Sequence, residues 1–246
     1  PDPDGPVMAI ELPLVIASET LSSILNVPDG PSTSRTSLLA FNMTFFKSCI
    51  LGLGIWIISF GANGNPPIIL VLGDSLSAAY QMPEHAGWVH LAQQEFDNKL
   101  KFINASVSGE TTAGAKQALP RLLERYQPSL IIIEMGANDG LRGHAPLAIK
   151  SNLSTMIRAG LSNGAAIALI EMDIPANYGS AYRDAFRSIY RELSVEFNII
   201  LIPSVFDEIF GDPQLLQADE LHPNQKAQIL IKERVLSTLS KVLKGL

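Results

Sequence analysis

Four short stretches of the 246-residue chain carry the residue types of acyl-transfer chemistry: "GDS" at 73–75, "SGET" at 108–111, "GAND" at 136–139 and "DELHP" at 219–223. A serine nucleophile needs a base to take its proton, an acid to orient that base, and donors aimed at the developing oxyanion. Ser75 is the candidate nucleophile and His222 the candidate base. Asp219 lies three residues before His222, so its carboxylate can reach one imidazole nitrogen and leave the other for Ser75. Glu220 competes as the acid from a position less suited to His222. The candidate oxyanion donors are the Ser75 N–H, the Gly109 N–H and the Asn138 side-chain amide, glycine being the residue that lets backbone approach closely. Asp74 is a poor triad acid, because neighbouring side chains diverge, and is assigned to the turn. Each candidate also has a plainer reading. Ser75 could cap a following helix, His222 could be a surface loop residue, Gly109 a turn, and Asn138 an Asx turn. What favours chemistry is that all four loops arrive at one place.

That convergence follows from the elements between them. Apolar runs recur at 68–72, 101–107, 130–135, 166–172 and 199–205, several too continuously apolar for a sheet with one wet face. Helix-like segments fall between and after them, at about 86–99, 112–126, 146–163, 180–197 and 224–243, with Pro223 at the start of the last. A helix-like stretch is also expected directly after Ser75. Alternating strands and helices imply right-handed crossovers and a parallel sheet. The expected fold is a three-layer α/β/α sandwich with a five-stranded parallel sheet, and ligands of such sheets bind beyond the carboxyl ends of the strands. The four loops lie at that end.

Composition narrows the function classes. With 47% hydrophobic residues the chain has enough apolar material for one sizeable core. A net charge of −6 and the lack of a basic stripe argue against a nucleic-acid partner. The four histidines, His85, His90, His144 and His222, fall in no metal-binding spacing, and the single cysteine, Cys49, builds no metal site. His85, His90 and His144 are read as structural or exposed, and Trp88 as core. The first residue is proline, and residues 1–42 are rich in Pro, Ser, Thr, Asp and Gly. They are read as disordered or as translation upstream of a natural start at Met43. Residues 43–62, "MTFFKSCILGLGIWIISFGA", have the layout of a signal peptide: one lysine, an apolar run too short to span a bilayer, then small residues. Residues 63–246 form the functional domain. The expected location is periplasmic or secreted, with no stable membrane span after leader removal, and nothing in the sequence calls for more than a monomer.

The chain resembles the SGNH (GDSL-type) hydrolase superfamily over residues 66 to about 240. Its four name-giving residues correspond to Ser75, Gly109, Asn138 and His222, with Asp219 in the D-x-x-H position. The stretches "LGDSLSAAYQM", "NASVSGETT", "EMGANDGLRG" and "PANYG" are similar to the bacterial multifunctional thioesterase I / lysophospholipase / arylesterase group. The resemblance implies a flavodoxin-like fold and a serine hydrolase acting on acyl esters and thioesters without metal or cofactor. Ser75 attacks, His222 shuttles the proton and Asp219 orients it. Two rival functions are a carbohydrate O-deacetylase of the same fold and a non-catalytic binding module. Leu76, Tyr80, Met82, Leu141 and residues 110–120 are candidates for an acyl groove, and residues 174–179 for its flank. The G-x-S-x-G elbow of α/β-hydrolases is absent around Ser75.

Overall fold

The structure is a computed structural model and describes residues 64–204 and 206–246. The segments read as upstream translation and leader, residues 1–42 and 43–62, lie outside the described residues.

Five strands form one parallel sheet: β1 (Ile68–Gly73), β2 (Lys101–Asn104), β3 (Leu130–Glu134), β4 (Ala166–Ile170) and β5 (Ile200–Ile202), in the order β2-β1-β3-β4-β5. Helices join them: α1 (Trp88–Phe96), α2 (Thr112–Tyr126), α3 (Ala137–Leu141), α4 (Pro146–Ser162), α5 (Ser180–Phe197), α6 (Phe206–Phe210) and α7 (Gln225–Leu243). Helix α4 packs between α2 and α5, and α1 packs against α7 on the other face of the sheet. The result is the three-layer α/β/α sandwich, with the flavodoxin-like strand order. The continuous apolar runs have the cause inferred for them. Ile69, Leu70 and Val71 of β1 and Ile131, Ile132 and Ile133 of β3 are fully buried, covered on both faces. Each such side chain withdrawn from water contributes about 1.5–3 kcal/mol.

The strands stop earlier than the apolar runs suggest, at Asn104, Glu134, Ile170 and Ile202. Beyond those points the chain leaves the ladder to build loops, although Ala105 and Val107 still donate to the carbonyls of Val71 and Gly73. No helix follows Ser75 directly. Residues 75–81 form successive turns, and Ala79 and Gln81 both adopt φ of 53°, which no helix accommodates. A short 3-10 turn at Glu84–Ala86 and then the first α-helix at Trp88 begin well beyond Ser75, so Ser75 caps neither. Pro223 likewise precedes rather than starts α7. It pairs with Leu216, and Asn224 caps the helix by accepting from the N–H groups of Lys226 and Ala227. Helices α3 and α6 fall outside the expected helix-like segments, and both border the site.

Candidate active site

The geometry starts where β1 ends. The Asp74 carboxylate accepts the Leu76 N–H at 3.0 Å, and the Asp74 carbonyl accepts the Ala78 N–H at 3.0 Å. This tight turn holds Ser75 at the strand tip, half-buried. Ser75 Oγ lies 3.0 Å from His222 Nε2, and His222 Nδ1 lies 2.7 Å from Asp219 Oδ2. The other Asp219 oxygen accepts the N–H groups of Leu221 and His222, each at 3.0 Å. With a carboxylate on Nδ1, the tautomer that satisfies both contacts carries its proton there and leaves Nε2 to accept from Ser75. Hydrogen bonds from the His222 backbone, then from its side chain and the Leu221 N–H, hold the Asp219 carboxyl down at about 2. Glu220 does not contact His222 in this way. It sits at φ of 54° and faces the cavity beside the triad.

Asn138 reaches the same point from β3. Gly136, at φ of 118°, turns the chain into α3, and a Cβ there would come within 2.3 Å of the Tyr190 hydroxyl. That turn delivers Asn138 to the cavity wall, where Nδ2 donates to Asp74 Oδ2 at 2.9 Å. Asp74 therefore does more than hold the turn: one oxygen fixes the serine loop and the other fixes the asparagine amide. The next residue, Asp139, is buried and accepts the Thr112 N–H at 2.8 Å and the Thr112 hydroxyl at 2.7 Å, which anchors the start of α2. Gly109 lies in the exposed loop before that helix at φ of 78°. Its carbonyl accepts from Arg142 Nη2 at 3.0 Å, and it is not part of the cavity wall.

Beneath the nucleophile lies a second carboxyl that the sequence reading did not single out. Glu134 ends β3 opposite Gly73 and is fully buried. Its Oε2 accepts the Asp74 N–H at 3.2 Å and the Ser77 hydroxyl at 2.9 Å, and Ser77 Oγ in turn accepts from Trp88 Nε1 at 3.0 Å. A Cβ on Gly73 would come within 2.7 Å of Glu134 Oε2, so glycine is what allows this packing. Burial, and then the nearby Asp74 charge, push Glu134 well above the carboxylate range. Burial also raises Asp74, from an ordinary 3.8 to about 6, against the lowering effect of Leu76, Asn138 and His222. Two carboxyls this close do not both ionise freely. Of the two, the fully buried Glu134 is pushed harder towards its neutral form.

A cavity of about 270 Å³ opens on Ser75, His222 and Asn138. Its wall is mainly apolar: Leu76, Leu141, Met172, Phe206, Phe210 and Leu221. Of the residues expected to line a groove, Leu76 and Leu141 do so. Met82 and residues 110–120 are not part of this wall, and Tyr80 instead lies against the His222 ring. Within 174–179, Pro175 lines the cavity and the Tyr178 hydroxyl donates to the Leu141 carbonyl at 2.7 Å. Nothing in the sequence separates Met172, Phe206 and Phe210 from ordinary core residues. Trp88 is core, fully buried. His85 is exposed, His90 lies beside Gln94, and His144 Nδ1 lies 3.4 Å from Asp139.

The model of the GDSL-like Lipase/Acylhydrolase family matches residues 71–228. An arylesterase of Vibrio mimicus is 42% identical over 178 residues, 71% of this chain and 89% of the relative. The thioesterase 1/protease 1/lysophospholipase L1 of Escherichia coli is 37% identical over 175 residues, 71% and 84% of the two chains. The psychrotrophic esterase EstA from Pseudoalteromonas, solved as a monoethylphosphonate-inhibited form, superposes with a TM-score of 0.69. It shares 42% identity across 72% of this chain and 98% of its own. A crystal structure of TesA gives a TM-score of 0.68 at 38% identity, over 72% and 99%.

Proposed function

This chain belongs to the GDSL-like lipase/acylhydrolase family and is an ester hydrolase, and we propose that it cleaves acyl esters and thioesters through an acyl-enzyme on Ser75. The observation that carries the proposal is the hydrogen-bonded chain Ser75–His222–Asp219, with links of 3.0 and 2.7 Å, opening on an apolar cavity. Ser75 Oγ attacks the acyl carbonyl while His222 Nε2 takes its proton. Asp219, charged throughout the working range, holds the tautomer and balances the imidazolium. The tetrahedral oxyanion is met by the Ser75 N–H and the Asn138 amide, with the Gly109 N–H as a third donor across the loop. Collapse breaks the bond to the leaving oxygen or sulfur, which takes the proton from His222. Water then enters by the same base and releases the carboxylate.

The apolar wall favours an acyl chain over a bare acetyl group, which would leave most of that surface uncovered. Export belongs to the same proposal: residues 43–62 act as a leader, and the active protein works in the periplasm or outside the cell. Among the described residues no helix is long and apolar enough to cross a membrane. N-terminal sequencing of the mature protein tests the leader. The function is tested with p-nitrophenyl esters of two, four, eight and twelve carbons and an acyl-CoA, beside Ser75→Ala. Turnover of the longer chains, abolished in the variant, is the expected result. Turnover of acetate alone would favour a deacetylase, and no turnover by folded protein would overturn the proposal.

A further inference from the structure

Three features converge on Tyr80. Its ring centroid lies 4.3 Å from that of His222, with the planes tilted by 37°. Its neighbours Ala79 and Gln81 both adopt left-handed backbone, at φ of 53°. Strain of that kind persists only where the surroundings impose it, and it gathers at functional sites. Its carbonyl is held by Gln217 Nε2 at 2.9 Å, and the same amide nitrogen holds the Pro223 carbonyl at 3.1 Å. The Gln217 N–H, in turn, donates to the His222 carbonyl at 2.8 Å. One glutamine thus fastens the tyrosine turn to the histidine loop. The tyrosine hydroxyl takes no part in this: its partner is the exposed amide of Gln81, at 3.1 Å.

We propose that Tyr80 is a positioning residue for His222, its ring face stabilising the imidazolium that forms as Ser75 attacks. The inference rests on His222 being the base. An aromatic face attracts a cation within about 6 Å of its centroid, and the neutral imidazole gains much less. The contact is therefore stronger in the transition state than in the resting enzyme, which is the condition for raising kcat. The carboxyls that face His222 or share its cavity are Asp219 on its own loop, Asp74 below Ser75, and Glu220 and Asp173 on the cavity wall, the last paired with Arg183 and Arg187. Tyr80 differs from them in acting through its ring.

The test compares Tyr80→Phe, Tyr80→Leu and Tyr80 replaced by phenylalanine with one, two and three ring fluorines, which drain the ring face while keeping its shape. Two readouts are taken: kcat and KM with a p-nitrophenyl ester, and the His222 titration midpoint by NMR in a Ser75→Ala background. The NMR readout is specific to the imidazole, whereas the kinetic acid limb is shared with Asp74. Tyr80→Phe should stay within about twofold of the parent. Tyr80→Leu should lose about three- to tenfold in kcat with little change in KM, and the midpoint should fall by about 0.5–1 pH unit. The fluorinated series should fall stepwise between them, and it serves if the leucine variant does not fold. An unmoved midpoint in Tyr80→Leu and across the fluorinated series would overturn the proposal. So would a Tyr80→Phe variant as impaired as Tyr80→Leu, or a loss confined to KM for the longer esters. Failure of the underlying hydrolase reading shows separately, as turnover that survives Ser75→Ala or His222→Ala.

Discussion

Replacing Asp74 by asparagine should move activity and stability in opposite directions. In the native protein one Asp74 oxygen accepts the Leu76 N–H and the other accepts the Asn138 amide, at 3.0 and 2.9 Å. An asparagine has a single acceptor. If it keeps the Leu76 N–H, its own NH₂ faces that of Asn138, and Asn138 must rotate its amide out of register with the oxyanion. Loss of one oxyanion donor lowers kcat by about 10²–10³-fold, and Asn138→Ala sets the full scale of that loss. The stability argument comes from linkage. Asp74 has its carboxyl raised by burial from 3.8 to about 6. The folded state therefore binds this proton more tightly than the unfolded chain. Any stabilisation from Asp74 is complete below pH 3.8 and is lost as pH rises through about 6. At 1.36 kcal/mol per pKa unit the native protein gives up about 3 kcal/mol between those limits, and Asp74→Asn does not. Urea unfolding of both proteins from pH 4.5 to 7.5 reads this as a difference that grows with pH in favour of the variant, whatever the constant offset of the substitution. A difference that stays flat would refute the assignment of a buried, reluctantly ionised Asp74. A kcat within twofold of the parent would refute its hold on Asn138.

The buried partner gives a complementary test. Glu134→Gln should keep activity near the parent, because glutamine presents the shape and charge of the neutral acid, and in urea unfolding it should gain on the parent as pH rises above 4.5, by the same linkage as Asp74. Glu134→Ala should lose about 2–4 kcal/mol in urea unfolding, through the cavity and the orphaned Ser77 hydroxyl and Asp74 N–H. Asp219→Asn should lower kcat by roughly 10³–10⁴-fold at unchanged fold, since the base would lose its tautomer partner. Asp219 is held at about 2, so the stability it contributes is present above 3.8 and is lost only as pH falls through about 2. An acid limb between pH 4 and 7 must therefore persist when Asp219 is the residue varied, and a pH–activity profile checks it. Phe210 is 44% exposed on the cavity wall, and Phe210→Ala should cut kcat/KM for the eight-carbon ester by about 5–20-fold while sparing the acetate ester. A chain-length profile reads that ratio.

The sheet was legible because its signal is local. A strand buried on both faces needs an unbroken apolar run, and "IILVL" and "LIIIE" are such runs. Ser75, Gly109 and Asn138 were legible because each sits within a few residues of a strand end, and the parallel topology carries those ends to one edge; Asp219 and His222 lie well beyond β5 and were legible from their spacing to each other. What escaped depends on contacts between segments far apart in sequence. Glu134 reads as the polar end of a strand, yet its burial follows from the register that sets it opposite Gly73. Tyr80 reads as a candidate for the acyl groove, and only the turns at Ala79 and Gln81, both with positive φ, set it against a loop more than a hundred residues later. Phe206 and Phe210 lie on a five-residue helix too short to show a period. The expected helix after Ser75 fails for a related reason. The helix-forming residues there are overruled by long-range contacts: Asn104 Nδ2 donates to the Ser77 carbonyl at 2.8 Å and Gln217 Nε2 donates to the Tyr80 carbonyl at 2.9 Å.

Three carboxyls stand within reach of the nucleophile's loop, and what separates them is their hydrogen-bond donors rather than their residue type. Asp219 receives two backbone N–H groups and an imidazole at a partly exposed site, so it stays charged and can compensate a developing imidazolium. Asp74 receives one backbone N–H and one amide while buried, so its charge is held at some cost and fixes the groups that face the oxyanion. Glu134 receives donors on one oxygen only, with its other oxygen buried without a partner, so burial pushes it towards the neutral form. That order of charge runs from the cleft into the core. A second full negative charge at Glu134 would raise Asp74 further, weaken its hold on Asn138 and oppose the oxyanion. In its neutral form the glutamate fills the space under Gly73 with a hydrogen-bonding group that adds no negative charge beside the oxyanion.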